Sequence, residues 1–527
     1  MSAAAVAPLP VHSRPWQRVV IAASIALLLA MMVLRYLGPS DLYDQTQPKT
    51  ISYTTDIIVH GGTHWILPVE RGELPATKPP LYNWLAVPAV KWLGFNSEIG
   101  HKLPSTAAML ACWLIIVRLG RRLGREHDGD ESLGWIAGLI LISSYAIFKL
   151  GYLVRPDMLL TLWLLIAWVC ATAAFMRQRV SGTANAVFWL AITLAGLTKG
   201  PAVLVMMVYI ILAARVIGGR WSAIRLLHPI PGGLIALLVF AAWVFAVWKI
   251  NPEHLKQELW FNELYGRFTG AGAEGTHGRS RFWLSEVHYQ SFYFTTRFVP
   301  WSFVAAVGAI ALWWRRRTRG EAPQSTLERW MWASLLFVLI VVGLFSFSVG
   351  KRADYVAVAY PQTALLAAWW LLYAWPRIGL RWPWLTPLAA ALNLASISIY
   401  DHKQIWAPIP GFGDAIKAFV DDATRAMADE PLPILNCSAG QSHLQAVLGI
   451  AEDDQRRQIP DMIAGGRRFW VLAGRTQKEP YEFDLWLQQR GLRATAAEVV
   501  RSGELPRSHG WPAQVTLWRV TPDADVR

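Results

Sequence analysis

Apolar residues run along this chain in long blocks separated by short polar or basic stretches. Blocks of about 20 apolar residues have the length needed to cross a bilayer core. The first runs to about Leu37 behind Arg14 and Arg18. No small-residue cleavage site follows it and further blocks do, so it predicts an uncleaved helix rather than a signal peptide. Further spans are predicted near 104–124, 133–153, 157–176, 185–198, 201–217, 231–250, 297–314, 329–349, 355–375 and 383–400. The stretch 185–217 reads either as two spans or as one broken hairpin, and the pattern predicts about eleven spans.

Basic clusters fix an orientation for this zigzag. Starting inside, Arg118/Arg121/Arg122/Arg125, Arg177/Arg179, Arg215/Arg220/Arg225, Arg315–Arg317 and Arg377/Arg381 all fall on one side. Cytoplasmic loops carry such an excess of Lys and Arg, which predicts a cytoplasmic N-terminus. Segments 38–103 and 251–296 and everything after Tyr400 then lie outside. Within the first outer loop, Leu81–Leu93 is too short to span and is predicted to lie along the surface.

After Tyr400 the pattern changes. Helical periodicity over Asp414–Met427 and Tyr481–Arg490 alternates with strand-like runs, Arg468-Phe469-Trp470-Val471-Leu472 and Gln514-Val515-Thr516-Leu517-Trp518. This predicts a small α/β domain over 401–527 outside the membrane, beside a membrane domain over 1–400. Composition agrees: of 527 residues, 54% are hydrophobic and only 16% charged, against about 25% charged in soluble proteins. The expected fold class is a polytopic α-helical membrane protein with a C-terminal small soluble α/β domain. A net charge of +14 does not make it a nucleic-acid binder, because much of that charge sits in the topology clusters. The three cysteines provide no disulfide framework, and the 29 Trp suit membrane–water interfaces.

The informative charges are those on the wrong side. Lys78, Arg155, Lys199, Lys351 and Arg352 stand at the outer ends of spans, where topology does not require them. Ionisable groups at membrane level usually face a cavity or a partner, and five cations converging from different loops suggest a bound anion. Each alone also fits a basic side chain snorkelling from a helix end. Asp44 and Asp157 share this side. An acid after Pro156 in a first helical turn is favoured by the macrodipole, and Asp44 also reads as a solvated loop residue. A carboxylate beside an anion site equally suits a general base working next to a phosphate leaving group. Glu263, Arg267, His277 and His288 occupy the second outer loop, a candidate acceptor or donor loop. His60 and His64 flank a Gly-broken turn with no nearby Glu to complete a zinc motif, so no metal site is expected.

No phosphate loop, no dinucleotide-binding glycine pattern and no Gly-x-Ser-x-Gly elbow is present in the sequence. Transfer chemistry outside the membrane therefore needs a donor already there, and a lipid-linked phosphate is the natural candidate.

Trp65-Ile66-Leu67-Pro68, Lys78-Pro79-Pro80-Leu81-Tyr82-Asn83-Trp84-Leu85 and Lys102-Leu103-Pro104-Ser105 together resemble the first outer loop of bacterial aminoarabinose lipid A transferase-like proteins. These are protein O-mannosyltransferase-related glycosyltransferases of the GT-C fold. Arg155-Pro156-Asp157-Met158, Thr198-Lys199-Gly200-Pro201, Pro300-Trp301-Ser302 and Ser348-Val349-Gly350-Lys351-Arg352-Ala353-Asp354-Tyr355 follow in the family's order, so the resemblance covers roughly 15–375. It implies a polyprenyl-phosphate sugar as donor, a lipid or protein acceptor, and a multi-pass protein of the bacterial inner membrane. An acceptor hydroxyl would attack the anomeric carbon with inversion while a carboxylate takes its proton. The resemblance assigns the base to Asp44 with Asp157 supporting or replacing it. Lys78, Arg155, Lys199, Lys351 and Arg352 would hold the phosphate, with Tyr355 hydrogen-bonding nearby. No cofactor is implied.

Two departures stand out. The family's Asp-Glu-Pro-Arg-Tyr is here Thr46-Gln47-Pro48-Lys49-Thr50, which puts Thr46 where the aspartate usually stands. Thr77 replaces a common Glu, further disfavouring a divalent metal. The other function class considered, a transporter or flippase of a lipid-linked sugar, would suit broken helices but predicts an internal repeat that is absent from the sequence. A non-catalytic scaffold would leave the outer cations without a common task.

Overall fold

The computed structural model describes residues 47–70, 74–258, 288–319, 325–347, 352–374, 412–437, 455–475, 483–502 and 514–523, with scattered positions elsewhere. Two compact units divide the chain. One comprises 1–33, 77–81 and 104–399, the other 34–76, 82–103 and 400–527. The tail from Tyr400 falls in the second unit, and most of the segment between the first two expected spans is grouped with it.

The first unit is a helical bundle. Among the described residues, six helices are long and apolar enough to cross a membrane, or up to eight if two sharply bent pairs each count as one span. By length and composition Gly182–Val216 is one apolar helical run, but the chain turns back within it. Lys199 meets Asp157 at one end of the helix Asp157–Arg177, while Tyr209 meets Thr172 and the Gly218 carbonyl accepts from Gln178 toward the other. The reversal is local: Gly200, at φ +50°, opens the four-residue 3₁₀ turn Gly200–Val203 between the two arms, a length usual for a helical hairpin. The first span and 383–400 lie largely outside the described residues.

Glycines allow close helix approach where the sequence places them. A Cβ on Gly134 would lie 2.3 Å from the Val117 carbonyl oxygen, so the helices Glu98–Asp128 and Ser132–Ile142 cross almost backbone to backbone. Deeper in the bundle Trp168 packs edge-on against Trp330 at 5.4 Å between centroids. Tyr209 lies 2.6 Å from the Thr172 hydroxyl, so this buried phenol is hydrogen-bonded, as apolar surroundings demand.

In the second unit, Leu81–Leu93 is a 13-residue helix, too short to span. The tail has a four-stranded sheet in the order β3-β4-β6-β5, with β3 Ile434–Cys437, β4 Phe469–Arg475, β5 Ala494–Arg501 and β6 Gln514–Pro522. β3 runs parallel to β4, and the other pairings are antiparallel. One face packs Phe469, Val471 and Val520 against Ile459, Phe483 and Leu487 of the neighbouring helices. In the helix Phe412–Asp429, Ile416, Phe419, Val420 and Ala423 are buried, the 3.6-residue spacing of an amphipathic helix. Ion contacts tie this helix to the first outer loop. Lys417 lies 3.3 Å from Glu98, and Asn96 donates to Asp421 at 2.8 Å. Glu98 also accepts from Ser40 and meets the fully buried Lys102 at 2.6 Å.

Candidate functional site

The site in the first unit is built where three elements end. The helix Asp157–Arg177 begins there, the helix Gly182–Lys199 finishes there, and the 3₁₀ turn Ala353–Ala359 starts there. A 21-residue helix is roughly 30 Å long, so Asp157 stands a membrane thickness from Arg177 of the basic cluster at its other end. Both termini suit their charges: an acid at a helix N-terminus and a cation at a C-terminus each oppose the macrodipole.

A short loop presents Arg155 to this junction. Thr106 donates to the Gly151 carbonyl at 2.8 Å, and the Ser105 hydroxyl lies 2.7 Å from the Leu153 carbonyl and 3.0 Å from that of Arg155. The Ser105 of the Lys102-Leu103-Pro104-Ser105 motif thus holds the backbone that carries Arg155. Pro156 caps the helix that follows, and Asp157 occupies its first turn.

Asp157 is the hub. Lys199 Nζ lies 2.5 Å from its Oδ1 and Arg155 Nε 3.4 Å from its Oδ2, while the carboxylate is only 4% exposed. The second fork of Arg155 reaches Asp354, Nη1 to Oδ2 at 2.6 Å. Burial works against the Arg155 charge, but the carboxylates of Asp157 and then Asp354 outweigh it and raise its pKa above the usual guanidinium value. Lys78 lies within electrostatic reach of Asp157. Lys199 also sits over the Tyr355 ring, 4.7 Å from its centroid, a cation–π contact. Arg352 is exposed just before the turn, and its carbonyl faces Gln290.

The residues singled out from sequence therefore divide three ways. Lys78, Arg155, Asp157, Lys199 and Tyr355 come together, with Arg352 at the flank. Tyr355 engages Lys199 through its ring face, a contact the sequence did not suggest. Asp44, Lys351, Glu263 and Arg267 lie outside the described residues. Sequence reasoning missed Asp354, although it stands two residues from a predicted cation and in the first turn of a 3₁₀ element. It also missed Ser105 as a support.

Four cationic residues, Lys78, Arg155, Lys199 and Arg352, accompany two carboxylates, Asp157 and Asp354, leaving a surplus of two positive charges. Such a group can bind an anion such as a phosphate: Arg forks match its oxygens and Lys acts as a point charge. Asp157 has a cation on each oxygen, so its geometry suits orienting Arg155 and Lys199. In the second unit, Asp56, His60 and His64 are a group able to hold a metal ion, with potential ligand atoms within 4.8 Å of one another.

Comparison with known proteins agrees with this picture. The family described as dolichyl-phosphate-mannose-protein mannosyltransferase matches residues 77–248, which include Lys78, Arg155, Asp157 and Lys199. An undecaprenyl phosphate-alpha-4-amino-4-deoxy-L-arabinose arabinosyl transferase of Proteus mirabilis is 25% identical over 65% of this chain and 58% of its own length. The chain thus spans about three-fifths of that relative. Crystal structures of ArnT from Cupriavidus metallidurans share the fold. The apo form covers 94% of this chain and 98% of its own at 14% identity, with a TM-score of 0.63. The form bound to undecaprenyl phosphate covers 98% and 99% at 15% identity, with a TM-score of 0.64. The family match and the relatives agree with the ArnT-like resemblance that the ordered motifs carry, and the solved structures share its fold.

Proposed function

We propose that this ArnT-like membrane protein transfers a sugar from a polyprenyl phosphate to a lipid acceptor on the outer face of the inner membrane. The observation that carries the proposal is Arg155 and Lys199 meeting on the buried Asp157 carboxylate beside Lys78. The names of the relatives support a lipid-phosphate donor.

In this reading the acceptor hydroxyl attacks the anomeric carbon and the carbon–oxygen bond to the lipid phosphate breaks, with inversion. The electron pair stays on the departing phosphate, and preorganised cations stabilise that developing charge. Arg155 and Lys199, held by Asp157 and Asp354, face it with Lys78 and, at the flank, Arg352, and Lys351 is assigned to the same task from the sequence. Asp157, already shared by two cations, is a positioning residue, which leaves proton removal to Asp44. An N-terminus in the cytoplasm and the 401–527 domain outside belong to the same reading, as does a role for Glu263 and Arg267 in the substrate loop.

The test is transfer from radiolabelled polyprenyl-phosphate sugars to membrane lipids by the purified protein. Removing one preorganised donor costs about 10²–10³ in rate, so Lys199→Ala and Arg155→Ala should fall by that order with normal folding. Full activity in both would refute the assignment. Full activity in Asp44→Asn would remove Asp44 from the mechanism.

A further inference from the structure

We infer that Asp56, His60 and His64 form a binding site for a divalent transition-metal ion of the zinc class. The inference is independent of the transfer reaction. It rests on a second cluster in the other compact unit.

The geometry begins with the helix Gln47–His60, which places Asp56 and His60 four residues apart and so on one face. Gly61 and Gly62 follow at φ +61° and +52°, two consecutive left-handed residues that glycine adopts without strain. They fold the chain into the 3₁₀ turn Gly62–Trp65 and bring His64 beside His60, with ring centroids 4.9 Å apart. The Gly-Gly break, which argues in the sequence against a helical His pair, is what assembles this one.

Asp56 joins both rings. His60 Nδ1 lies 2.8 Å from Asp56 Oδ1, and His64 Nδ1 lies 2.7 Å from Oδ2. The two imidazole nitrogens thus each meet one oxygen of the same carboxylate, and one potential ligand atom from each of the three residues lies within 4.8 Å of the others. In a tetrahedral zinc site the ligand bonds are 2.0–2.2 Å, which puts ligand atoms about 3.3 Å from one another. Small side-chain rotations that bring both Nδ1 atoms and one Asp56 oxygen to that spacing would admit the ion, with each ring then carrying its proton on Nε2.

The ligand chemistry selects the ion class. Two imidazoles and one carboxylate suit zinc and its neighbours, whereas calcium and magnesium favour all-oxygen sites. Three protein ligands leave a fourth position for water or a substrate oxygen. Access and anchoring are both provided: the side chains of His60 and His64 are 44% and 31% exposed, and that of Asp56 is 6% exposed. The Val69 N–H donates to Asp56 Oδ2 at 2.7 Å, the kind of outer-shell bond that orients a metal ligand. Val69 begins β1 (Val69–Glu70), which pairs with β2 (Leu74–Pro75). A bound ion would therefore cross-link the helix end, the turn and this hairpin.

The experiment uses the full chain in detergent, purified on a tag without histidine, stripped with a chelator and titrated with Zn²⁺ or Co²⁺. The wild type should retain one zinc more per chain than His60→Gln/His64→Gln and should show the visible bands of low-symmetry cobalt. His64→Gln alone should weaken zinc by about 10–100-fold or more, since even outer-shell changes cost that much. Equal zinc in wild type and double variant would overturn the inference. So would a wild type without cobalt bands, a readout that does not depend on any variant folding. Retention of Ca²⁺ or Mg²⁺ but not zinc would overturn the ion class.

Discussion

Replacing Asp157 with Asn isolates the interaction around which the site is built. The substitution keeps volume and removes the charge that Arg155 and Lys199 share. Breaking a buried ion pair from one side costs about 3–5 kcal/mol, because a desolvated charge is left behind. Here part of that is offset. Arg155 keeps Asp354 at 2.6 Å, Lys199 keeps the Tyr355 ring at 4.7 Å, and both cations retain 11–14% exposure. A loss of about 2–4 kcal/mol is therefore expected. The assay is equilibrium unfolding in mixed micelles for the wild type, Asp157→Asn, Lys199→Met and the double variant. If the cost is an unpaired ammonium, Lys199→Met should recover much of it in the Asp157→Asn background, a coupling of about 1 kcal/mol or more. An Asp157→Asn protein as stable as the wild type, or strictly additive effects, would refute the reasoning.

Other changes have distinct signatures. Arg155→Lys keeps the charge but loses the fork that spans Asp157 and Asp354, so transfer should drop by about tenfold or more while protein yield is unchanged. Gly134→Leu would drive a Cβ to 2.3 Å from the Val117 oxygen and should lower stability by about 1–3 kcal/mol or more in a thermal unfolding assay. Glu98→Gln removes the charge that faces the buried Lys102, 2.6 Å away. It should destabilise by about 3 kcal/mol, seen as faster proteolysis of the second unit.

The cluster was legible in sequence because topology gave each charge a side. Lys78, Arg155, Asp157 and Lys199 stood out as ionisable residues at the outer ends of spans, and the structure brings them together. Asp354 was not legible. An acid next to Lys351-Arg352 reads as local charge balance, and only the packing of the 353–359 turn on the helix start brings it to Arg155. Asp56 was hidden for a similar reason. Its partner His64 is eight residues away, and two positive-φ glycines decide that they meet. In the tail, the alternating runs around Val471 and Leu517 are strands. The short parallel strand β3 and the Ala-rich edge strand β5 carry too weak a pattern to show. Near Gly200, sequence left open two spans or one broken hairpin, because the reversal rests on a positive-φ glycine and on packing of the returning arm against Thr172 and Gln178.

Binding of undecaprenyl phosphate to the purified protein in nanodiscs, followed by native mass spectrometry, tests the central claim most directly. The account predicts saturable binding of one lipid phosphate per chain, lost when Arg155 and Lys199 are both replaced by Ala and kept when Arg121, at the opposite basic cluster, is replaced instead. Equal lipid-phosphate occupancy in the wild type and the Arg155→Ala/Lys199→Ala protein would contradict it.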